Sequence, residues 1–164
     1  MDCGFEVGAW RRKGKTGIGG ALFMANDYTA AFEQASALLK TMPGAADLNF
    51  IAGDSLLRME DAERAEPYLR AARKADPKMV AAGASLGLAL SRLGRNAEAV
   101  PLLEQSLTLD DDGSLHYQLA RAYQAAGNAD KARGAMARYQ ELVARNQKAK
   151  EEVAREAQIG PPLR

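Results

Sequence analysis

The chain has 164 residues, the size of one ordinary domain, and 22 basic against 21 acidic side chains leave a net charge of +1. This balance does not indicate a general nucleic-acid-binding or membrane-surface protein. Apolar residues make up 47% of the chain, which predicts a folded globular protein, and no apolar run approaches the roughly 20 residues of a membrane span. One cysteine and one histidine exclude an internal disulfide and a Cys/His metal cluster, while 33 alanines favour helices over strands.

Small residues and prolines recur along the chain at a period of 33 or 34 residues. Four columns keep this register independently, which indicates an internal repeat. The columns are Ala31, Ala65, Ala99 and Ala132; Gly53, Gly87 and Ala120; Pro43 and Pro77; and Pro67 and Pro101.

Each repeat is predicted to contain two helices, because apolar residues within it fall at helical spacing, as in Leu86, Leu90 and Leu93. Asp61 and Asn128 stand where a side chain caps the helix that follows. The predicted helices are 48–59, 62–75, 80–93, 97–109 and 114–126, followed by a long helix from residue 129 toward residue 159.

These columns resemble the tetratricopeptide repeat family, whose unit is a 34-residue helix-turn-helix. The resemblance covers about residues 20–145 and implies an all-α solenoid, wound as a right-handed superhelix, with about three and a half repeats and a C-terminal capping helix. The matching residues are Ala52, Gly53, Leu56, Ala65, Leu69, Ala72 and Pro77 in the first full repeat; Leu86, Gly87, Leu90, Gly94, Ala99, Leu103 and Ser106 in the second; and Leu119, Ala120, Tyr123, Gly127, Ala132, Met136 and Tyr139 in the third.

The small residues are expected to mark close approaches between helices. Gly87 is predicted to lie against Ala99 of the facing helix, where a larger side chain would overpack the interface at a cost of about 1 to 3 kcal/mol. Leu56, Leu90 and Tyr123 are expected to fill the space between neighbouring repeats.

The implied organisation has three parts. Residues 1–20 form a glycine-rich leader or a degenerate first helix, residues 21–145 form the solenoid, and residues 146–164 extend the capping helix into a tail. Within the solenoid, a half repeat and three full repeats occupy residues 27–43, 46–79, 80–112 and 113–145.

Three positions depart from the family pattern. Glu60 replaces the turn glycine that Gly94 and Gly127 supply in the later repeats. Asp111 stands where the second repeat would end in proline, and Tyr139 places a bulky ring in a column of small residues. The ring at Tyr139 indicates that no standard repeat packs after it.

Residues 1–20 leave four interpretations open. The segment from Ala9 to Thr16, with Lys15 as the phosphate ligand, matches a loose form of the nucleotide-binding P-loop, but no strand pattern precedes it, which favours a flexible leader. A basic run before residues 18–25 has the order of a secretion signal, although these residues also fit the repeat's own columns as a degenerate helix. Cytoplasm is the default location, with secretion as the alternative.

No catalytic or metal-binding constellation is predicted. For His116, the only histidine, a surface or packing role is favoured over metal binding or general-base chemistry. The acidic run from Asp110 to Asp112 is predicted to be a solvated turn whose charge lies at the N-terminus of the next helix. The sequence therefore predicts a protein that is not an enzyme and has no cofactor.

Binding to another protein is the function that the resemblance implies, because the first helices of such repeats line a concave groove. Some family members grip the acidic C-terminus of chaperones with lysines, an arginine and asparagines, and that set is missing here. The expected partner is a peptide segment or a helix of another protein. An apolar strip facing water is expected, with plain packing as the alternative for all four residues and packing on the N-terminal half repeat for Phe50 in particular; the strip consists of Phe50, Leu57, Leu88 and Tyr117. The predicted groove residues are Phe50, Asp54, Leu57, Arg58, Ala84, Leu88, Ser91, Arg92, Tyr117, Arg121 and Gln124.

The last helix also leaves two interpretations open. Residues 131–164 carry a net charge of +4, whereas residues 26–130 carry −5. The helix is predicted to be a polar cap on the last repeat, or else a docking helix for another chain. A purely structural or self-associating module of a larger assembly is the alternative to groove recognition.

Overall fold

A computed structural model describes Phe23 and residues 25–159 of the chain. These residues contain seven α-helices, a 3-10 turn at Leu107–Leu109 and no strand. Each helix packs against the next, and the first helices of neighbouring full repeats also contact each other, so the molecule is a helical repeat solenoid. The predicted all-α fold is confirmed. The helices are α1 (Tyr28–Leu39), α2 (Ala46–Arg58), α3 (Ala62–Ala75), α4 (Val80–Arg92), α5 (Asn96–Ser106), α6 (Ser114–Ala125) and α7 (Ala129–Ile159).

Most helix ends fall within two residues of the predicted bounds. The exception is the end of α5, which was expected at residue 109 but lies at Ser106. The chain tightens there into the 3-10 turn, where the N–H of Asp110 bonds to the carbonyl of Leu107. The shorter helix places Asp110 beside the start of α6.

The turn inside each hairpin keeps one left-handed geometry. Glu60, Gly94 and Gly127 have φ angles of 66°, 77° and 77°. Two bonds close each turn as a Schellman motif; after α2 they run from Asp61 N to Leu56 O (2.9 Å) and from Glu60 N to Leu57 O (3.1 Å). The turn therefore keeps its geometry although Glu60 replaces glycine. The left-handed backbone conformation of Glu60 costs about 1 kcal/mol of strain.

In three of the helices the residue at the N-cap position supplies a side-chain cap, as predicted for Asp61 and Asn128. Asp61 Oδ1 accepts from Arg64 N at 3.1 Å. Arg95 occupies the equivalent position before α5 and has no acceptor to offer, so that helix lacks a side-chain cap. The caps and their donors are Asp27 and Ala30, Asp61 and Arg64, and Asn128 and Lys131.

Close helix contacts occur at the glycine column, but the partner differs from the one expected. A Cβ added at Gly87 would lie 2.9 Å from Leu103 Cγ and 3.3 Å from Leu102 Cβ. At Gly53 it would lie 2.6 Å from Leu69 Cγ. The side chains nearest to Gly87 are thus those of Leu103 and Leu102, about one turn further along α5 than the predicted Ala99.

The core is one large cluster with a small extension at the N-terminal end. Leu56, Leu90 and Tyr123 are buried in the large cluster, as expected for residues between repeats. Ala31, Ala35, Ile51 and Ala52 form the smaller cluster between α1 and α2.

The predictions for residues 1–20, namely leader, P-loop and secretion signal, lie outside the described residues. Within the described part, no helix combines the length and hydrophobicity needed to cross a membrane.

Candidate functional site

The predicted groove residues lie on α2, α4 and α6, and their exposure increases along the chain. Leu48 to Leu57 of α2 are all buried, whereas α6 exposes one face. The buried members are Phe50, Asp54, Leu57 and Ala84; those half-buried or exposed are Arg58, Leu88, Ser91, Arg92, Tyr117, Arg121 and Gln124.

The expected apolar strip facing water is only half present. Phe50 and Leu57 are 5% and 3% exposed and belong to the main core cluster, so the expectation that they face water was wrong. Leu88 is half-buried, and Tyr117 is 38% exposed. Neighbouring repeats cover the side of α2 that helical periodicity alone would leave open.

Asp54 links two repeats from within the groove. Its Oδ1 accepts a hydrogen bond of 2.5 Å from Ser85 Oγ on α4, and its Oδ2 lies 3.3 Å from Arg58 Nε. The residue is only 4% exposed. Oδ1 therefore holds α2 to α4, while Oδ2 pairs with Arg58 within α2. The bond between the helices required Ser85, which the repeat columns did not single out.

Arg92 makes a second link between the same repeats. One terminal guanidinium nitrogen donates to the carbonyl of Leu57 at 2.7 Å. That carbonyl belongs to the last turn of α2 and also accepts from Glu60 N in the turn that follows. The rest of the Arg92 side chain is exposed at the edge of the groove.

Arg92 aside, the accessible residues among those predicted on α4 and α6 are Leu88, Ser91, Tyr117, Arg121 and Gln124, and we call them the open groove surface. Arg121 and Gln124 are exposed, and their side chains make no hydrogen bond or ion pair with any described residue. The surface thus offers a guanidinium and an amide beside partly exposed apolar side chains, a combination typical of protein recognition.

Tyr139 of α7 adds to this surface. Its ring lies 5.3 Å from the ring of Tyr117, at an interplanar angle of 51°. The sequence pattern marked Tyr139 only as a departure from the small-residue column. That departure was the available signal, because a ring at the end of the stack covers the last groove helix.

His116 and Asp110 form a cap at the start of α6. The Asp110 carboxylate accepts from the backbone N–H groups of Leu115 and His116, both at 3.0 Å, and also contacts the His116 ring at Nδ1. The Asp110 side chain is fully buried, so the prediction of a solvated turn was wrong for this residue. The sequence did not predict that Asp110 pairs with His116, because the two residues are six positions apart. The described residues contain no group of three or more metal-ligating side chains.

An ion-pair network joins α3 to the start of α5 on the other face of the solenoid. Arg70 bonds to Glu66 at 2.8 Å and to Glu98 at 3.1 Å, while Arg95 bonds to Glu66 at 2.7 Å and to Glu98 at 2.8 Å. The hydrogen bond from Arg70 lowers the pKa of Glu66, and that from Arg95 lowers the pKa of Glu98. The network holds two repeats in register.

The sequence model of the tetratricopeptide repeat family matches this chain twice, at residues 51–114 and at residues 85–148. The two matches together cover more than half of the chain. Among curated proteins, none matches this chain.

Solved structures of MamA have a similar fold. The crystal structure of MamA has a TM-score of 0.66 at 21% identity, over 79% of this chain and 75% of that one. MamA 41-end from Desulfovibrio magneticus RS-1 has a TM-score of 0.66 at 24% identity, over 79% and 73%. The MamA RS-1 ArsTM double mutant has a TM-score of 0.68 at 23% identity, over 87% and 83%. At these identities the similarity establishes the helical repeat fold alone.

Proposed function

The chain belongs to the tetratricopeptide repeat family, and on this premise we propose that it is a non-enzymatic scaffold that binds a peptide segment or helix of another protein on the open groove surface. The observation that supports the proposal is the pair of exposed polar side chains, Arg121 and Gln124, beside Leu88 and Tyr117.

The chemistry of this surface defines the kind of segment that it would hold. Arg121 suits a carboxylate or a backbone carbonyl, and Gln124 can pair with a backbone amide. Leu88 and Tyr117 suit an apolar side chain between them. The predicted residues Asp54 and Arg92 contribute by fixing the angle between α2 and α4, since their bonds join these helices.

The experiment that tests the proposal selects peptides from a displayed random library on the wild-type protein. Affinities of the selected peptides are then measured against Arg121→Glu, Gln124→Ala and a charge-matched control, Lys78→Glu, which changes an exposed residue before α4. We expect Arg121→Glu to weaken binding by at least about tenfold, equivalent to about 1.4 kcal/mol. The control should bind as the wild type does.

A double variant, Arg121→Glu with Leu88→Glu, is expected to abolish binding. Leu88 is half-buried and packs on the core, so circular dichroism and the unfolding midpoint must accompany this measurement. Peptides that bind Arg121→Glu and Gln124→Ala as tightly as the wild type would place recognition on another face and overturn the proposal.

A further inference from the structure

The second half of α7, residues 147–159, leaves the body of the solenoid. The last hydrogen bond described between α7 and the repeats joins Asn146 Nδ2 to the carbonyl oxygen of Asp111 at 2.8 Å. Every side chain described from residue 147 to residue 155 is exposed. At the rise of an α-helix these 13 residues extend for about 20 Å. We call this segment the tail helix.

The face that packs α7 against the repeats continues into the tail helix. Leu142 is buried and Asn146 is half-buried, and Ala149 and Val153 follow on the same side at intervals of three and four residues. Val153 is 67% exposed, more than any other large apolar side chain among the described residues. An apolar stripe therefore runs out from the core to a position where no described residue covers it.

The charges of the chain are separated along the stack. Residues 25–63 carry seven acidic and two basic side chains, whereas residues 64–130 carry eight of each. Residues 131–155 carry seven basic and three acidic side chains. One end of the solenoid is acidic and the helix at the other end is basic, so the two ends of different copies attract each other.

A shallow, mostly polar notch lies at the border of this acidic region. The notch has a volume of about 450 Å³ and lies where the α2–α3 turn meets the end of α4. Glu60 and Glu63 are exposed there and form no ion pair with any described residue, and Met59 is 37% exposed. The notch residues are Met59, Glu60, Asp61, Ala62, Glu63, Arg92 and Leu93.

The notch and the tail helix cannot meet within one molecule. The α2–α3 turn belongs to the edge of the solenoid where α6 ends and α7 begins, because the hairpins repeat. The tail helix projects from the opposite edge, since Asn146 bonds to Asp111 just before α6 starts. The notch also lies between the first and second repeats, whereas the tail helix follows the third. Contact between them therefore requires two molecules.

We propose that the tail helix of one copy docks on the acidic notch of a second copy, forming head-to-tail assemblies. Val153 packs against Met59 and Leu93, while Lys148 and Lys150 pair with Glu60 and Glu63. The contact joins two different surfaces, so each copy retains a free notch and a free tail and further copies can add. The proposal is independent of peptide binding on the open groove surface.

The test measures mass by sedimentation as a function of protein concentration at low and high salt. The tail variant is Lys148→Glu with Lys150→Glu, and the notch variant is Glu60→Lys with Glu63→Lys. A control, Arg133→Glu with Arg138→Glu, makes the same charge change as the tail variant, at exposed positions in the first half of α7. Circular dichroism verifies that all variants retain the wild-type helix content.

We expect the wild type and the control to grow in mass with concentration at low salt and to dissociate at about 0.5 M salt, because screening weakens the ion pairs. Each variant alone should associate at least about tenfold more weakly. A mixture of the two should associate again, because the intact tail of one variant meets the intact notch of the other, and the reversed charges of the altered tail and the altered notch are also complementary.

Three outcomes would overturn the proposal. The first is a wild type that stays monomeric at every concentration in low salt. The second is a notch variant that assembles as the wild type does, which would indicate symmetric pairing of two tail helices. The third is a mixture of the two variants that remains monomeric.

Discussion

Helix α2 and the tail helix both have 13 residues, yet their surroundings are opposite. In α2 ten successive residues are buried, including Asn49, Asp54 and Ser55, whereas the tail helix exposes even Val153. The polarity of the side chains does not explain why one helix is buried and the other exposed. A helix in a solenoid is buried when it has a neighbour on each side, and α2 lies against α1, α3 and α4.

The largest expected effect is the difference in stability between substitutions at two helical glycines. Gly53→Leu should destabilise the protein by about 3 kcal/mol, because its new side chain collides with Leu69 of α3. Gly134→Leu in α7 has open space around its Cβ and should be neutral or stabilising. Urea unfolding of both variants gives the comparison. Equal midpoints would contradict the close approach of α2 and α3.

Asp54→Ala should have the next largest effect. It removes the hydrogen bond to Ser85 and the ion pair with Arg58, and loss of hydrogen bonds to a buried charged group costs about 2 to 3 kcal/mol. The matched change in the tail helix, Glu151→Ala, should alter the free energy of unfolding by less than about 0.5 kcal/mol. An Asp54→Ala protein as stable as the wild type would show that this carboxylate does not join the repeats.

Glu60→Gly, just after α2, should stabilise the protein by about 1 kcal/mol, because glycine adopts the left-handed turn without strain. Glu63→Gly is the control, since residue 63 lies in α3, where glycine is unfavourable. The two substitutions should shift the thermal midpoint in opposite directions. A shift in the same direction would exclude strain at Glu60.

Ser55→Ala should also stabilise, by at most about 1 kcal/mol. The Ser55 Oγ is buried and has no hydrogen-bond partner among the described residues, and the equivalent positions hold Ala89 and Ala122. Ser36→Ala, which removes an exposed hydroxyl bonded to Glu33, is the control and should be nearly neutral. A loss of stability in Ser55→Ala would indicate a partner for the hydroxyl.

The smallest expected effect is on the loss of stability at low pH. Glu66 and Glu98 have pKa values below the ordinary 4.5 because of their arginine partners. The folded state therefore binds fewer protons, and the stability from these pairs is present above pH 4.5 and lost as the pH falls below it. Glu66→Gln with Glu98→Gln should make the acid limb of the thermal midpoint shallower, only slightly because the network is exposed. An unchanged acid limb would show that the network does not contribute to the stability of the fold.

The repeat columns predicted the helices and their turns because these depend on spacing and on local backbone conformation. Even the substitution at Glu60 left the turn intact. They did not predict that Phe50 and Leu57 are buried, because periodicity shows which residues share a face and not what covers that face. Nor did they predict the bond from Asp54 to Ser85, which depends on how two repeats are rotated against each other.

Each bond between repeats described above reaches only the adjacent repeat: Ser85 to Asp54, Arg92 to Leu57, and Arg70 to Glu98. A pulling force applied at the two ends of the stack would therefore be resisted by one interface at a time. We expect the molecule to unfold in steps under tension, one hairpin per step. When the force is released, we expect the hairpins to refold one after another.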